Sequence, residues 1–184
     1  MKILFASDIH GSRGACEAVL ARFEAEKADR LILLGDLLYH GPRNDLPADY
    51  APKAVIALLN GFHTAPLCVR GNCDAEIDQM VLNFPIMADY MLLPLETGCA
   101  FVTHGHLFNT DHLPPHQPDD LLIHGHTHVH AVQRKDDMVY INPGSAALPK
   151  EGQAKSYMLY ENGRFSIRDF SGAVLQEYAM GEQA

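Results

Sequence analysis

Apolar residues fall along this chain in short runs, each closed by a glycine or by a side chain able to bind or react. Lys2–Ser7 predicts a buried strand ending at Asp8. Between Ser12 and Glu26, apolar residues at Ala15, Val19, Leu20 and Phe23 recur at helical spacing, with Ser12 placed as the N-cap. Leu31–Leu34 predicts a second buried strand, ended by Gly35-Asp36. Tyr39–Tyr50, rich in Pro, Gly, Asn and Asp, predicts irregular surface. Pro52–Leu59 predicts a helix with proline in its first turn. Ala65–Arg70 predicts a third strand, followed by Gly71-Asn72-Cys73-Asp74. This strand–helix–strand–helix–strand order implies a parallel sheet with right-handed crossovers.

After Gln79 the pattern changes to paired runs. Tyr90–Leu95 and Cys99–Thr103 flank Glu96-Thr97-Gly98 as a hairpin. Ala131–Lys135 and Met138–Asn142 flank Asp136-Asp137. Tyr157–Glu161 and Arg164–Phe170 flank Asn162-Gly163, a strong two-residue turn signal. The second half is therefore expected to be strand-rich and mostly antiparallel. With no internal repeat, low-complexity tract or domain boundary, 184 residues are expected to form one domain.

Composition changes this picture little: 47% of residues are hydrophobic and 20% charged, as in ordinary globular proteins. The chain carries no apolar run long enough to span a bilayer and no signal-peptide core, so a cytoplasmic protein with no membrane role is expected. Cys16, Cys68, Cys73 and Cys99 match neither a zinc ribbon nor a disulfide scaffold, and reduced thiols are expected. A formal charge of −9 argues against a nucleic-acid polymer as partner, but not against a small anionic substrate beside bound cations. Homo-oligomerisation is left open.

The chemistry gathers where the strands end. His124-Gly125-His126-Thr127-His128-Val129-His130 places four alternating histidines directly after Leu121-Leu122-Ile123, a pattern suited to divalent metal or to a polar edge. Asp8 and His10, Asp36, Asn72, and His104 occupy the corresponding positions after other runs, where open α/β sheets bind ligands. Gly35, Gly71 and Gly125 each precede a candidate ligand, where a sharp turn or close backbone approach is required. Taken singly, Asp8 or Asp36 could cap a helix or form a turn, Gly71-Asn72 could be a plain turn, and His104 could be a packed core histidine. Together they form a nitrogen-and-oxygen set without sulfur, pointing to Mn, Fe or Zn. Counting only His126 and His128 of the run, the seven donors Asp8, His10, Asp36, Asn72, His104, His126 and His128 are too many for one tetrahedral ion and suit two ions sharing a carboxylate.

Asp8-Ile9-His10, Gly35-Asp36 with Gly41, Gly71-Asn72-Cys73-Asp74, His104 and Gly125-His126-Thr127-His128 resemble, in order, the motifs of the metallophosphoesterase (calcineurin-like) superfamily over roughly residues 1 to 150. Length, Gly41-Pro42-Arg43-Asn44 and Asn142-Pro143-Gly144-Ser145 look nearest to its small bacterial phosphodiesterases of the YfcE type. The resemblance implies an α/β fold, a four-layer α/β/β/α sandwich of two mixed sheets flanked by helices, as one metallophosphoesterase domain over residues 1–184. It implies one ion held by Asp8, His10, Asp36 and His128, and a second held by Asp36, Asn72, His104 and His126, with Asp36 bridging. Two Mn²⁺ ions are the first expectation, with Zn, Fe, Ni or Mg as alternatives. On this reading His124 is a packed or supporting residue, and His130 a neighbour on the next strand.

The implied activity is that of a phosphoric diester hydrolase, acting on a small phosphodiester by in-line attack of a hydroxide bridging two ions. The alternatives are a phosphomonoesterase or nucleotide-specific hydrolase on the same site, or a non-catalytic scaffold, as in the retromer subunit that resembles this family. Such a scaffold is expected to lose ligands, whereas all seven positions are filled here. One position departs from the pattern. Many members carry His after the Gly-Asn pair, where it assists phosphoryl transfer, and here stands Cys73. A thiol is a weaker donor, so His106 becomes the nearest substitute, and activated aryl diesters are expected to turn over faster than alkyl ones. Asp74 is expected to orient a neighbouring histidine, or else to be a turn carboxylate. Arg43 and Asn44 are expected either to reach substrate oxygens or simply to be solvated.

Overall fold

The structure is a computed structural model that describes residues 1–135 and 137–181, so Asp136 of one expected turn and residues 182–184 of the expected domain lie outside the described residues. The first half winds as its pattern predicts. Strand β1 (Lys2–Ala6) leads into helix α1 (Arg13–Glu26), whose N-cap Ser12 accepts from the Ala15 N–H through its hydroxyl. Strand β2 (Arg30–Leu33), helix α2 (Pro52–Gly61) and strand β3 (Leu67–Cys68) follow. The third strand is much shorter than expected. Pro66 has no N–H to donate at its start, and beyond Val69 the chain leaves β2, the Arg70 N–H going to the Ala88 carbonyl at 2.7 Å.

The second half supplies β4 (Tyr90–Pro94), β5 (Cys99–Thr103), β6 (Leu121–Ile123), β7 (Ala131–Lys135), β8 (Met138–Asn142), β9 (Ser156–Glu161) and β10 (Arg164–Asp169). The sequence pattern missed the short helix α3 (Glu76–Gln79) and the last strand β11 (Val174–Ala179). All three predicted hairpins pair antiparallel, but β5, β6 and β8 pair parallel with one another. The long segment between β5 and β6 carries the chain back, which a hairpin turn cannot do.

Two mixed sheets result, ordered β11-β10-β9-β1-β2-β3 and β4-β5-β6-β8-β7. Alternation along β1 separates two cores: Leu4 and Ala6 pack with Val19 and Phe23 of α1 and Val55 and Leu59 of α2, while Ile3 and Phe5 face Val102, Ile123 and Ile141 of the other sheet. The outer face of the second sheet buries Phe101, Leu122 and Tyr140 beneath Phe108 and Leu113. That covering layer is the connection from β5 to β6, which has no helix among the described residues and carries Pro114, Pro115 and Pro118. The sandwich brings the carboxyl ends of β1, β2, β5 and β6 to one rim. There, Asp8 N–H donates to Gly35 O (3.2 Å), His10 N–H to Asp36 O (2.9 Å), and Gly125 N–H to His104 O (2.9 Å).

Candidate metal centre

The turns at this rim are backbone-strained where the donors sit. Asp8, His10, Asp36, His126 and His128 all hold positive φ, between 48° and 66°, a region that disfavours side chains with a Cβ. Alternation along a strand would throw His126 and His128 to one face. The left-handed turns at these two histidines, more than Gly125, break that alternation. Glycine serves the site mainly through space: a Cβ on Gly71 would lie 2.1 Å from Asp36 Oδ1, and one on Gly125 would lie 1.9 Å from Ser7 Oγ.

Three histidines are aimed by backbone carbonyls. The Nδ1–H of His10 donates to Tyr39 O (2.8 Å), that of His104 to Leu34 O (2.7 Å) and that of His128 to Leu148 O (2.6 Å). A carbonyl only accepts, so each neutral ring keeps its Nε2 lone pair for the cluster. His10 Nε2 and His128 Nε2 stand 3.1 Å apart, at 3.5 and 3.2 Å from Asp8 Oδ1. Asp36 Oδ2 lies between His10 Nε2 (3.7 Å) and His104 Nε2 (3.5 Å). His104 Nε2 also faces Asn72 Oδ1 and His126 Nδ1, both at 3.1 Å. The trios Asp8–His10–His128 and Asp8–Asp36–His104 each gather one donor atom per residue within 4.8 Å, the spacing of residues able to hold a cation.

The second oxygens are already occupied. Asp8 Oδ2 accepts from Ser7 Oγ (2.6 Å) and from the His126 N–H (3.0 Å), and Asp36 Oδ1 accepts from the Cys73 N–H (2.8 Å). Asp8 Oδ1, fully buried, has no hydrogen-bond partner among the described residues. A buried carboxylate oxygen left alone among converging imidazole lone pairs is costly unless a cation completes it, and this donor set fits divalent ions.

Electrostatics agree. Burial would raise Asp8, but His10 and His128 outweigh it and hold it well below the usual carboxylate range. Burial likewise opposes charge on His104, yet Asp36 and Asp8 lift it to about 9. His126 is pushed down to about 4 by burial and by His104. Protons and divalent ions thus compete for the same lone pairs, and ion binding releases protons.

The remaining expected residues divide. Arg43 and Asn44 line a pocket with Asp36, Asn72, His126 and His128, although the Asn44 amide donates to His40 O (2.8 Å) and so also ties its loop. Cys73 lines the same pocket, and burial followed by Asp36 pushes its thiol up to about 12, which keeps it uncharged. The His106 ring is half-buried, 5.4 Å from His104 and 6.4 Å from His126, and burial lowers its pKa. Of the two readings of Asp74, the turn carboxylate fits, since among the described residues no histidine bonds to it. Its carboxylate instead accepts three backbone N–H groups, those of Asp36 (2.8 Å), Leu37 (2.9 Å) and Gly71 (2.7 Å), because the Asp36 and Gly71 turns pack directly over it. His124 is buried and stacked on Tyr140 at 4.4 Å, and the His130 N–H donates to Gln153 Oε1 (2.6 Å).

Two contributors, Ser7 and Lys150, are not singled out in the sequence, whereas Ser145 belongs to the Asn142-Pro143-Gly144-Ser145 motif and lies in a turn at the site. Ser7 holds Asp8 Oδ2, and Ser145 Oγ donates to the Asp8 carbonyl at 2.9 Å. Lys150 brings a second cation to the pocket beside Arg43. Ser7 adjoins Asp8 in sequence and could have been noticed, whereas Lys150 belongs to no motif.

Comparison with known proteins follows the same lines. The family model of the calcineurin-like phosphoesterase superfamily domain matches residues 1–163. Phosphodiesterase YfcE of Escherichia coli (strain K12) is 46% identical over 167 residues, covering 91% of each chain. The solved structure of the E. coli YfcE phosphoesterase superposes with a TM-score of 0.94 at 43% identity, covering 98% of this chain and 100% of that one. An archaeal phosphodiesterase (TM-score 0.62, 20% identity, 97% and 99% covered) and Vps29 of Chaetomium thermophilum (TM-score 0.60, 16% identity, 98% and 99% covered) share the fold alone.

Proposed function

The chain belongs to the calcineurin-like phosphoesterase superfamily, and on that premise we propose that it is a metal-dependent phosphodiesterase of two Mn²⁺ ions. Asp8, His10, Asp36 and His128 would hold one ion, and Asp36, Asn72, His104 and His126 the other. The position of Asp36 Oδ2 between His10 and His104 supports its bridging role. Zn, Fe, Ni or Mg remain the alternatives to Mn. Such ions supply Lewis-acid polarisation of the phosphoryl group and a nucleophile from water at neutral pH.

The chain's own groups complete the site. Arg43 and Lys150 offer positive charge on the pocket wall to the phosphodiester monoanion, and Asn44 keeps the Arg43 loop in place. Cys73, uncharged, neither repels the substrate nor acts as a strong acid. We therefore place His106 as the hydrogen-bond donor to the leaving oxygen, beside His104 and His126. Asp74 is a positioning residue, pinning the Asp36 and Gly71 turns. We further assign one domain over residues 1–184, a cytoplasmic location and a small diester as substrate, in keeping with a charge of −9.

The observation that carries the assignment is the unpartnered Asp8 Oδ1 facing two carbonyl-oriented imidazoles. Asp36→Ala is expected to abolish Mn²⁺-dependent hydrolysis of bis(p-nitrophenyl) phosphate. Full activity in that variant would overturn the assignment.

A further inference from the structure

Beside the charged pocket runs an apolar groove of about 440 Å³, lined among others by Tyr39, Tyr50, Ile56, Cys73, Ile77 and Val81. Its size falls in the range of small-molecule sites, roughly 300–1,000 Å³, and so does its apolar and aromatic lining. The groove and the pocket meet at Cys73, which lines both while its N–H is bonded to Asp36 Oδ1. Tyr39 makes the same junction, since its carbonyl orients His10 while the residue also lines the groove.

The walls are braced. The His40 ring meets Tyr39 and Tyr50 edge-on at 4.7 and 5.4 Å, fixing one side. On the other, Asn60 of α2 donates to Val81 O (2.7 Å) and accepts from the Asn83 N–H (2.8 Å), tying the segment after α3 to α2. Yet Ile77 is 62% exposed and Val81 40% exposed, apolar area left uncovered directly beside a charged centre.

We propose that this groove seats an apolar, aryl-sized ester arm of the substrate, while the phosphate lies in the pocket of Arg43 and Lys150. The inference rests on the phosphodiesterase reading and adds a substrate class to it: diesters with one apolar arm are favoured over those with small or polar arms. A ring placed against Ile77 and Val81 sheds water from both surfaces, whereas a methyl arm ends at Cys73 and gains nothing there.

Phenylphosphonate and methylphosphonate separate the arm from the phosphoryl chemistry, because neither has a leaving group. With the Mn²⁺-loaded chain, calorimetry is expected to find phenylphosphonate bound about tenfold more tightly, the value of partial burial of a ring. In Ile77→Asp and Val81→Asp, both at exposed positions, that preference should shrink to about threefold or less. An unchanged preference in both variants, or no preference in the unaltered chain, overturns the groove assignment. So does a loss of self-association in the variants at constant preference, which would make the groove a contact between copies. Hydrolysis of bis(p-nitrophenyl) phosphate is measured in parallel. Its absence together with an intact preference overturns the hydrolase reading and leaves an aryl-anion site.

Discussion

Five donor residues held in the left-handed region mark the site at the scale of single residues. Each such conformation costs on the order of 1–3 kcal/mol and persists only where neighbours over-determine it. Asp74 is the clearest of those neighbours, because three N–H groups from two separate turns converge on its two oxygens. An amide keeps only one acceptor oxygen and adds a donor facing N–H groups. Asp74→Asn is therefore expected to weaken Mn²⁺ binding by about 10–100-fold, as supporting residues of metal ligands do. Calorimetric titration of the apo-protein checks this, and an unchanged affinity would show that the turns hold without it. This role was not legible in the sequence. A carboxylate after Gly-Asn-Cys reads equally as a histidine partner or a turn former, and only the fold of two distant turns over it decides.

At the scale of elements, the strand-end turns act as one interlocked layer. Gly35 and Gly71 pass so closely that a Cβ on Gly35 would lie 2.3 Å from the Gly71 nitrogen, and one on Gly71 would lie 2.3 Å from the Asp36 nitrogen. Gly71→Ala should therefore displace the Asp36 turn, lowering stability by about 1–3 kcal/mol, as overpacking does. Urea unfolding with chelator present isolates that effect from metal binding. Stability equal to that of the unaltered chain would mean the turns have slack that the distances deny.

Across the whole molecule, a partly buried ionic cluster ties the helical layer to the first sheet. Glu26 at the end of α1 accepts from the Tyr157 hydroxyl of β9 (2.7 Å) and from Arg22, with Arg168 of β10 at 3.5 Å. Burial would raise its pKa, but Tyr157 and Arg22 outweigh this and lower it from about 4.5. A carboxyl lowered in the folded state contributes stability above its unfolded pKa and loses it as pH falls through the lower folded value. Glu26→Gln is thus expected to cost about 1–2 kcal/mol near pH 7. The deficit should narrow below pH 4.5 and vanish once Glu26 is protonated in both states, as urea unfolding between pH 3 and 7 would show. A pH-independent deficit would assign the loss to packing alone. By itself the sequence determined the strand and helix order up to β3, the three hairpins and the strand-end positions of the candidate donors, because periodicity and strand-end position are local properties. Only the tertiary structure decided that β5, β6 and β8 run parallel, that Asp74 serves backbone rather than histidine, that Lys150 reaches the pocket and that an apolar groove adjoins it. Those facts depend on which distant segments share one rim, and no local pattern encodes that.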